Sequence, residues 1–175
     1  MPLTGPALGA LRILLVEDSP EDAELMSEQM LDAGLDARFE RVESEAELRQ
    51  ALAAFQPDIV LSDLSMPGFS GDDALRIVRE TSPEVPFIFV SGTMGEENAV
   101  AALQKGANDY IIKHQPARLP SAVARSIRDA RSAVERARVE TELMRAQRLE
   151  SLSLLAAGLS HDLRNILQPL LIMPD

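Results

Sequence analysis

Apolar positions follow two rhythms along this chain. Up to about residue 113, short unbroken apolar runs alternate with stretches whose apolar residues recur every three or four positions. The runs at 12–16, 58–63, 86–90 and 109–113 are rich in Ile, Val, Leu and Phe and are bounded by polar or turn residues. That is the pattern of strands buried on both faces. Residues 37–42 make a weaker strand. The stretches between them carry helix signals. Ser19 precedes Pro20, Glu21 and Asp22, a cap followed by a first-turn proline and acids at the positive end of the dipole, and Gly34 stops that helix. Ser44 and Glu47 have capping-box spacing ahead of inward Leu48, Leu52 and Phe55, and Pro57 ends the helix. Further helices are expected over 71–80, with Ala74, Leu75 and Val78 inward, and over 96–105, stopped by Gly106. Five strands alternating with helices predict an α/β fold: a flavodoxin-like, doubly wound parallel sheet of order 2-1-3-4-5.

The second rhythm begins near residue 118. Past the first turn no Gly or Pro interrupts until Gly158, so one long helix is expected, part of it coiled coil. Val123, Ile127, Ala130, Val134 and Ala137 have heptad-like spacing. Leu149, Leu152, Ala156, Leu159, Leu163, Ile166 and Leu170 alternate three and four apart in a second seam. The two seams do not share one register, which puts a discontinuity, in the manner of a stutter, at 138–148. Such a seam calls for a second helix, so a parallel homodimer through 118–172 is expected. The chain divides on this reading into a disordered lead (1–10), a globular core (11–117), a helical linker (118–148) and a further helix (149–175).

Composition narrows the class. The 175 residues are 46% hydrophobic, enough for a core, and include no Cys. Disulfides and thiolate metal sites are therefore excluded, and a cytoplasmic location fits. No apolar run reaches the roughly eighteen residues of a membrane span, and the first residues are too few and too polar for a signal peptide. The net charge of −11 is uneven, with −13 over residues 1–115 and +2 over 116–175. The acidic part repels nucleic acid. The arginines of the tail are interleaved with Glu and Ala, which suits a solvated helix better than a DNA-binding patch.

Chemistry in open α/β sheets is placed at the carboxyl ends of the strands. Here those ends carry Glu17 and Asp18 on the first strand, Asp63 on the third, Ser91 on the fourth and Lys113 on the fifth. Any one of them is ordinary at a strand end, as a turn or cap residue. All five on one edge form a constellation. Three carboxylates together repel unless a cation joins them, and hard oxygen ligands suit Mg²⁺. A carboxylate beside that ion can act as a nucleophile toward a phosphoryl group. Lys113 would neutralise phosphoryl oxygens and the Ser91 hydroxyl would bond one.

At this point the chain resembles the receiver domain of two-component response regulators, over about residues 10–130. The resemblance rests on Leu15-Val16-Glu17-Asp18, Ser62-Asp63-Leu64-Ser65-Met66-Pro67-Gly68, Val90-Ser91-Gly92 and Asp109-Tyr110-Ile111-Ile112-Lys113. It implies that Asp63 accepts a phosphoryl group from a phosphohistidine donor protein. It also implies Mg²⁺ held by Asp18, Asp63 and the Ser65 carbonyl with help from Glu17, and a switch pair, Ser91 and Tyr110, in which Tyr110 rotates inward. The family commonly has Pro directly after the lysine; here His114 and Gln115 follow, and Pro comes at Pro116. That leaves the family's cis peptide in question but not the role of Lys113.

The tail carries a second resemblance. His161 lies between the seam residues Leu159 and Leu163 and faces outward. Asn165 is four residues on and beside it, and Asp162 is turned toward the flank. Over about 147–172 this segment is similar to the phosphoacceptor helix of histidine kinase dimerisation domains, in the His-Asp-x-x-Asn form. The resemblance implies phosphorylation of His161, with Asp162 orienting or deprotonating the imidazole and Asn165 positioning the phosphoryl group or a water. Pro169 should kink the helix just past this site. A kinase of this kind continues with a second hairpin helix and an ATP-binding domain, and no Gly-rich phosphate loop occurs in these residues. The chain thus reads as a fragment of a receiver-containing histidine kinase, unable by itself to use ATP. A straight helix from Leu119 to His161 would span about 60 Å, so His161 is not expected to reach Asp63, and the receiver is expected to act as an input. The alternatives are a phosphorylation-independent dimerisation scaffold, against which the intact Asp18, Asp63, Ser91 and Lys113 argue, and a flavin binder. The latter is disfavoured by acidic strand ends, one Tyr and no Trp.

Overall fold

Five parallel strands alternate with helices in the computed structural model of the chain, which describes residues 8–92, 96–113 and 115–168. In order they are β1 (Leu11–Val16), α1 (Pro20–Asp32), β2 (Ala37–Val42), α2 (Glu45–Ala54), β3 (Ile59–Ser62), α3 (Gly71–Thr81), β4 (Phe87–Ser91), α4 (Glu96–Gln104) and β5 (Asp109–Ile112). A 3₁₀ turn (Pro116–Arg118) then leads into α5 (Leu119–Leu167). The sheet order is β2-β1-β3-β4-β5 with every pairing parallel, the flavodoxin-like order expected from the alternation.

The apolar runs are continuous because both sheet faces are covered. Leu11, Ile13 and Leu15 of β1 pack with α1 and the first turns of α5. Leu14 and Val16 pack on the other face with α2, α3 and the edge-to-face pair Phe87 and Phe89, whose centroids are 5.0 Å apart. The register brings the carboxyl ends level: Val16 lies opposite both Val42 and Ser62, and Ser91 opposite Ile112. The Asp63 N–H continues the ladder to the Val16 carbonyl at 2.9 Å, and the Lys113 N–H to the Ser91 carbonyl at 2.8 Å.

Two helices start where their caps predicted: Ser19 and Ser44 each accept a backbone N–H three residues on, and Ser70 does the same for α3. After α2, Gln56 takes a positive φ of 51°; Pro57 bars it from the helical region, so the chain turns through the left-handed one. Arg79, at the end of α3, donates to the carbonyls of Val85 and Gly106 and to Asn108 Oδ1, which itself accepts the Phe87 N–H. One guanidinium thereby fixes the entry to β4 and β5.

The chain divides into two units, Met1–Ser132 and Ala133–Asp175. Leu119, Ala122, Val123 and Ile127 at the start of α5 are buried in the core of the first. This corrects the first seam: Val123 and Ile127 serve the core of their own chain and not a partner helix. Near the end of this unit Arg131 donates to the Leu8 carbonyl and pairs with Asp58. In the second unit α5 continues, and each of its described residues is exposed. Leu149, Leu159 and Ile166 of the second seam are about 65% exposed. Pro169 and Leu170 lie outside the described residues, as do residues 1–7 of the lead.

Gly71 opens α3 directly beneath the third strand's end. A methyl group there would lie 2.3 Å from the Asp63 carbonyl oxygen and 2.8 Å from the Phe89 ring. Gly71→Ala is expected to lower the urea stability of the domain by about 2–3 kcal/mol, the cost of overpacking against backbone; an unchanged urea midpoint would contradict this packing.

Candidate functional site

Lys113 leaves the end of β5 and projects its ammonium among carboxylates from three other segments. Its Nζ donates to Glu17 Oε2 at 2.8 Å, Asp22 Oδ2 at 2.6 Å and Asp63 Oδ2 at 2.9 Å. The Lys113 side chain is 17% exposed and that of Glu17 only 1%. The other oxygens are held by backbone: Glu17 Oε1 accepts the Ser19 N–H and Asp63 Oδ1 the Ser65 N–H. Two tight turns, after β1 and after β3, thus orient one carboxylate each.

Burial raises the pKa of Glu17 above its ordinary value, although Lys113 and the Ser19 N–H pull the other way. For Lys113, burial alone would depress the pKa; the hydrogen bonds to Asp22, Asp63 and Glu17 outweigh it and leave it raised. The ammonium is therefore fixed as a cation.

Glu17, Asp18 and Asp63 can bring one oxygen each within 4.8 Å of one another. Three hard carboxylate donors, one of them on an exposed residue, fit a hard divalent cation such as Mg²⁺. Ser65 is exposed beside Asp63. Ser91 is buried at the end of β4, and Tyr110 is buried in the cluster that holds Phe87 and Phe89. The expected strand-end residues thus share one edge, and Tyr110 is inward in this conformation. His114 lies outside the described residues. Sequence reasoning missed Asp22, whose place in the first turn of α1 explained it as a helix-start acid.

A family model described as "Response regulator receiver domain" matches residues 13–124. The chain belongs to the response regulator receiver family. Among curated proteins this receiver is similar to the DNA-binding response regulator MtrA of Mycolicibacterium smegmatis, 32% identical over 102 residues, 58% of this chain and 43% of that protein. The chain spans less than half the length of such relatives. Among solved structures it is similar to the signal receiver domain of a Luxo repressor protein from Vibrio parahaemolyticus, with TM-score 0.63, 29% identity, and coverage of 71% of this chain and 95% of that one. It also resembles the signal receiver domain of a signal transduction histidine kinase from Syntrophus aciditrophicus, with TM-score 0.58, 29% identity, and coverage of 68% and 91%.

In the tail, the carboxylate of Asp162 lies 3.5 Å from His161 Nδ1, and Asn165 Nδ2 is 3.3 Å from the same nitrogen. Asn165 is where helical spacing put it. Asp162 reaches the imidazole more closely than its sequence position suggested.

The raised Glu17 has a consequence for folding. A carboxyl whose native pKa exceeds its unfolded value binds its proton more tightly in the folded chain. Its contribution to stability therefore falls as pH rises from the ordinary value of 4.5 through the raised one. In buffer with a metal chelator, Glu17→Gln is expected to gain stability relative to the native chain as pH goes from 4 to 7. Urea unfolding at several pH values checks this, and a pH-independent difference would refute it.

Proposed function

We propose that this receiver accepts a phosphoryl group on Asp63 from a phosphohistidine donor protein and that acceptance requires Mg²⁺. The observation that carries the reading is the convergence of Glu17, Asp18, Asp63 and Lys113 at one sheet edge, with Lys113 Nζ 2.9 Å from Asp63 Oδ2. In the transfer, an Asp63 oxygen attacks phosphorus, the phosphorus–nitrogen bond of the donor breaks, and the imidazole keeps the bonding pair and takes up a proton. Glu17, Asp18, Asp63 and the Ser65 carbonyl would hold Mg²⁺, whose charge offsets that of the phosphoryl oxygens. Lys113 donates to one of those oxygens and the Ser91 hydroxyl to another. Ser91 and Tyr110 form the switch pair, Tyr110 being retained in the buried position when Ser91 is drawn toward the phosphoryl group.

The long helix supports a finer reading: a receiver that regulates an attached histidine kinase dimerisation helix, with His161 as a phosphorylated histidine. Its Nδ1 can meet Asp162 or Asn165, and each choice fixes a tautomer. A proton on Nδ1 shared with Asp162 leaves the lone pair on Nε2, which is the nucleophilic form. Bonding from the Asn165 amide to Nδ1 leaves Nε2 protonated. The partner implied by the outward leucines is a second, parallel copy of the tail. Phosphorylation of Asp63 would act as the input.

Intact mass after incubation with Mg²⁺ and acetyl phosphate tests the core of this reading. One added phosphoryl group is expected in the native chain, and none with chelator or in Asp63→Asn. Its absence in the native chain would leave the scaffold reading. Dimerisation is tested separately by sedimentation: a dimer is expected, and the paired substitution Leu159→Asp with Leu163→Asp should give a monomer. A native monomer at tens of micromolar would rule out the homodimer at affinities usual for stable coiled coils.

A further inference from the structure

The ammonium of Lys113 has three N–H groups and three carboxylate partners, so no donor is left over. Its shortest contact is with Asp22, at 2.6 Å. Asp22 comes from α1, and it stands outside the group formed by Glu17, Asp18 and Asp63. We propose that Asp22 is a positioning residue for phosphoryl acceptance: its carboxylate holds the Lys113 ammonium beside Asp63 when the other two partners are engaged elsewhere. The proposal rests on the phosphoacceptor reading of Asp63.

The reasoning is one of competition. A cation held by the cluster draws on Glu17 and Asp63, and a phosphoryl group on Asp63 takes that carboxylate out of its present bond. Both events weaken the hold of these two residues on Lys113. Neither draws on Asp22. A lysine on its flexible stem would then populate many conformations, and the groove beside Asp22 and Lys113 is lined by Leu25, Met26, Val90, Ile111 and Leu119, which offer the ammonium no replacement partner. The Asp22 backbone is well fixed for the task. Ser19 Oγ accepts its N–H at 3.2 Å, in a helix that starts with Pro20. With one N–H committed to Asp22, the ammonium can turn another toward a phosphoryl oxygen without leaving the strand edge.

A bland account exists: Asp22 is an acid in a helix's first turn, favourable wherever it occurs. That account makes its effect independent of Lys113, so the two readings separate. The chain has only two lysines, Lys105 and Lys113. Lys105 pairs with Asp72, both about half exposed, and serves as the internal reference. In the metal-free, full-length chain with ¹⁵N-labelled lysine, Lys113 is expected to give a slowly exchanging ammonium signal. Asp22→Asn should shift it and speed its exchange, with the Lys105 signal unchanged. At saturating Mg²⁺ and acetyl phosphate, Asp22→Asn should slow phosphorylation of Asp63 by about tenfold, as for a displaced positioning group. Asp22→Glu should recover most of that rate. In a Lys113→Ala background Asp22→Asn should cost nothing further; where that background is too slow to measure, the ammonium spectrum decides. A native rate and spectrum in Asp22→Asn, or an equal loss with and without Lys113, would overturn the inference alone. No adduct on the native chain would overturn it together with the phosphoacceptor reading.

Discussion

One ammonium surrounded by carboxylates is the interaction on which the functional edge of this molecule depends. Parallel strands ending level bring Glu17, Asp18 and Asp63 together, and α1 adds Asp22 from its first turn. Such a set is self-repelling, and Glu17 is also buried, where an unpaired charge is costly. Lys113 resolves this by reaching three of the four from the end of the edge strand β5, with β4 lying between it and β3. The resolution is only partial: four negative charges face one positive one. The remaining negative charge is of the kind a hard divalent cation would offset.

The rest of the first unit keeps those strand ends level. Apolar side chains on both faces of β1, β3 and β4 make sliding of one strand expensive, since a one-residue slip would exchange its two packed faces. Gly71 lets α3 begin in contact with the Asp63 backbone, where any side chain would push Asp63 aside. At the opposite edge, Arg79 gathers backbone carbonyls ahead of β4 and β5. It holds the loops from which the Ser91 and Lys113 strands set out. The site is thus fixed from both ends of the sheet.

What the sequence discloses follows from how many explanations each residue admits. Strand runs ending in Glu17, Asp18, Asp63, Ser91 and Lys113 were legible because sheet topology makes strand ends converge. The fold order followed from the same alternation. Asp22 was illegible because helix-start preference already accounted for an acid there, and nothing in its neighbours pointed to a lysine ninety-one residues away. Arg79 was hidden because its partners are mostly main-chain carbonyls, which any residue could supply. Val123 and Ile127 misled for another reason. A helix packing on a sheet and a helix packing in a coiled coil both repeat their apolar residues every three or four positions, so spacing alone does not say which surface is covered. Only the burial of Val123 beside the strands separates the two.

That ambiguity bears on the tail. Up to Ile127 the last helix is held by core packing, at 0% exposure for Val123 and 1% for Ile127. From residue 133 it has no such support within the described residues. Intrahelical pairs such as Arg138 with Glu135 and Glu142 are exposed, and water screens them to a small contribution. The seam leucines are a larger reserve. Each, if buried, would contribute about 1.5–3 kcal/mol, so covering even a few of them outweighs all the surface pairs together. Covering those leucines would therefore stabilise the tail more than its surface pairs do. His161, between Leu159 and Leu163, is exposed in this helix, with Asp162 and Asn165 beside its imidazole.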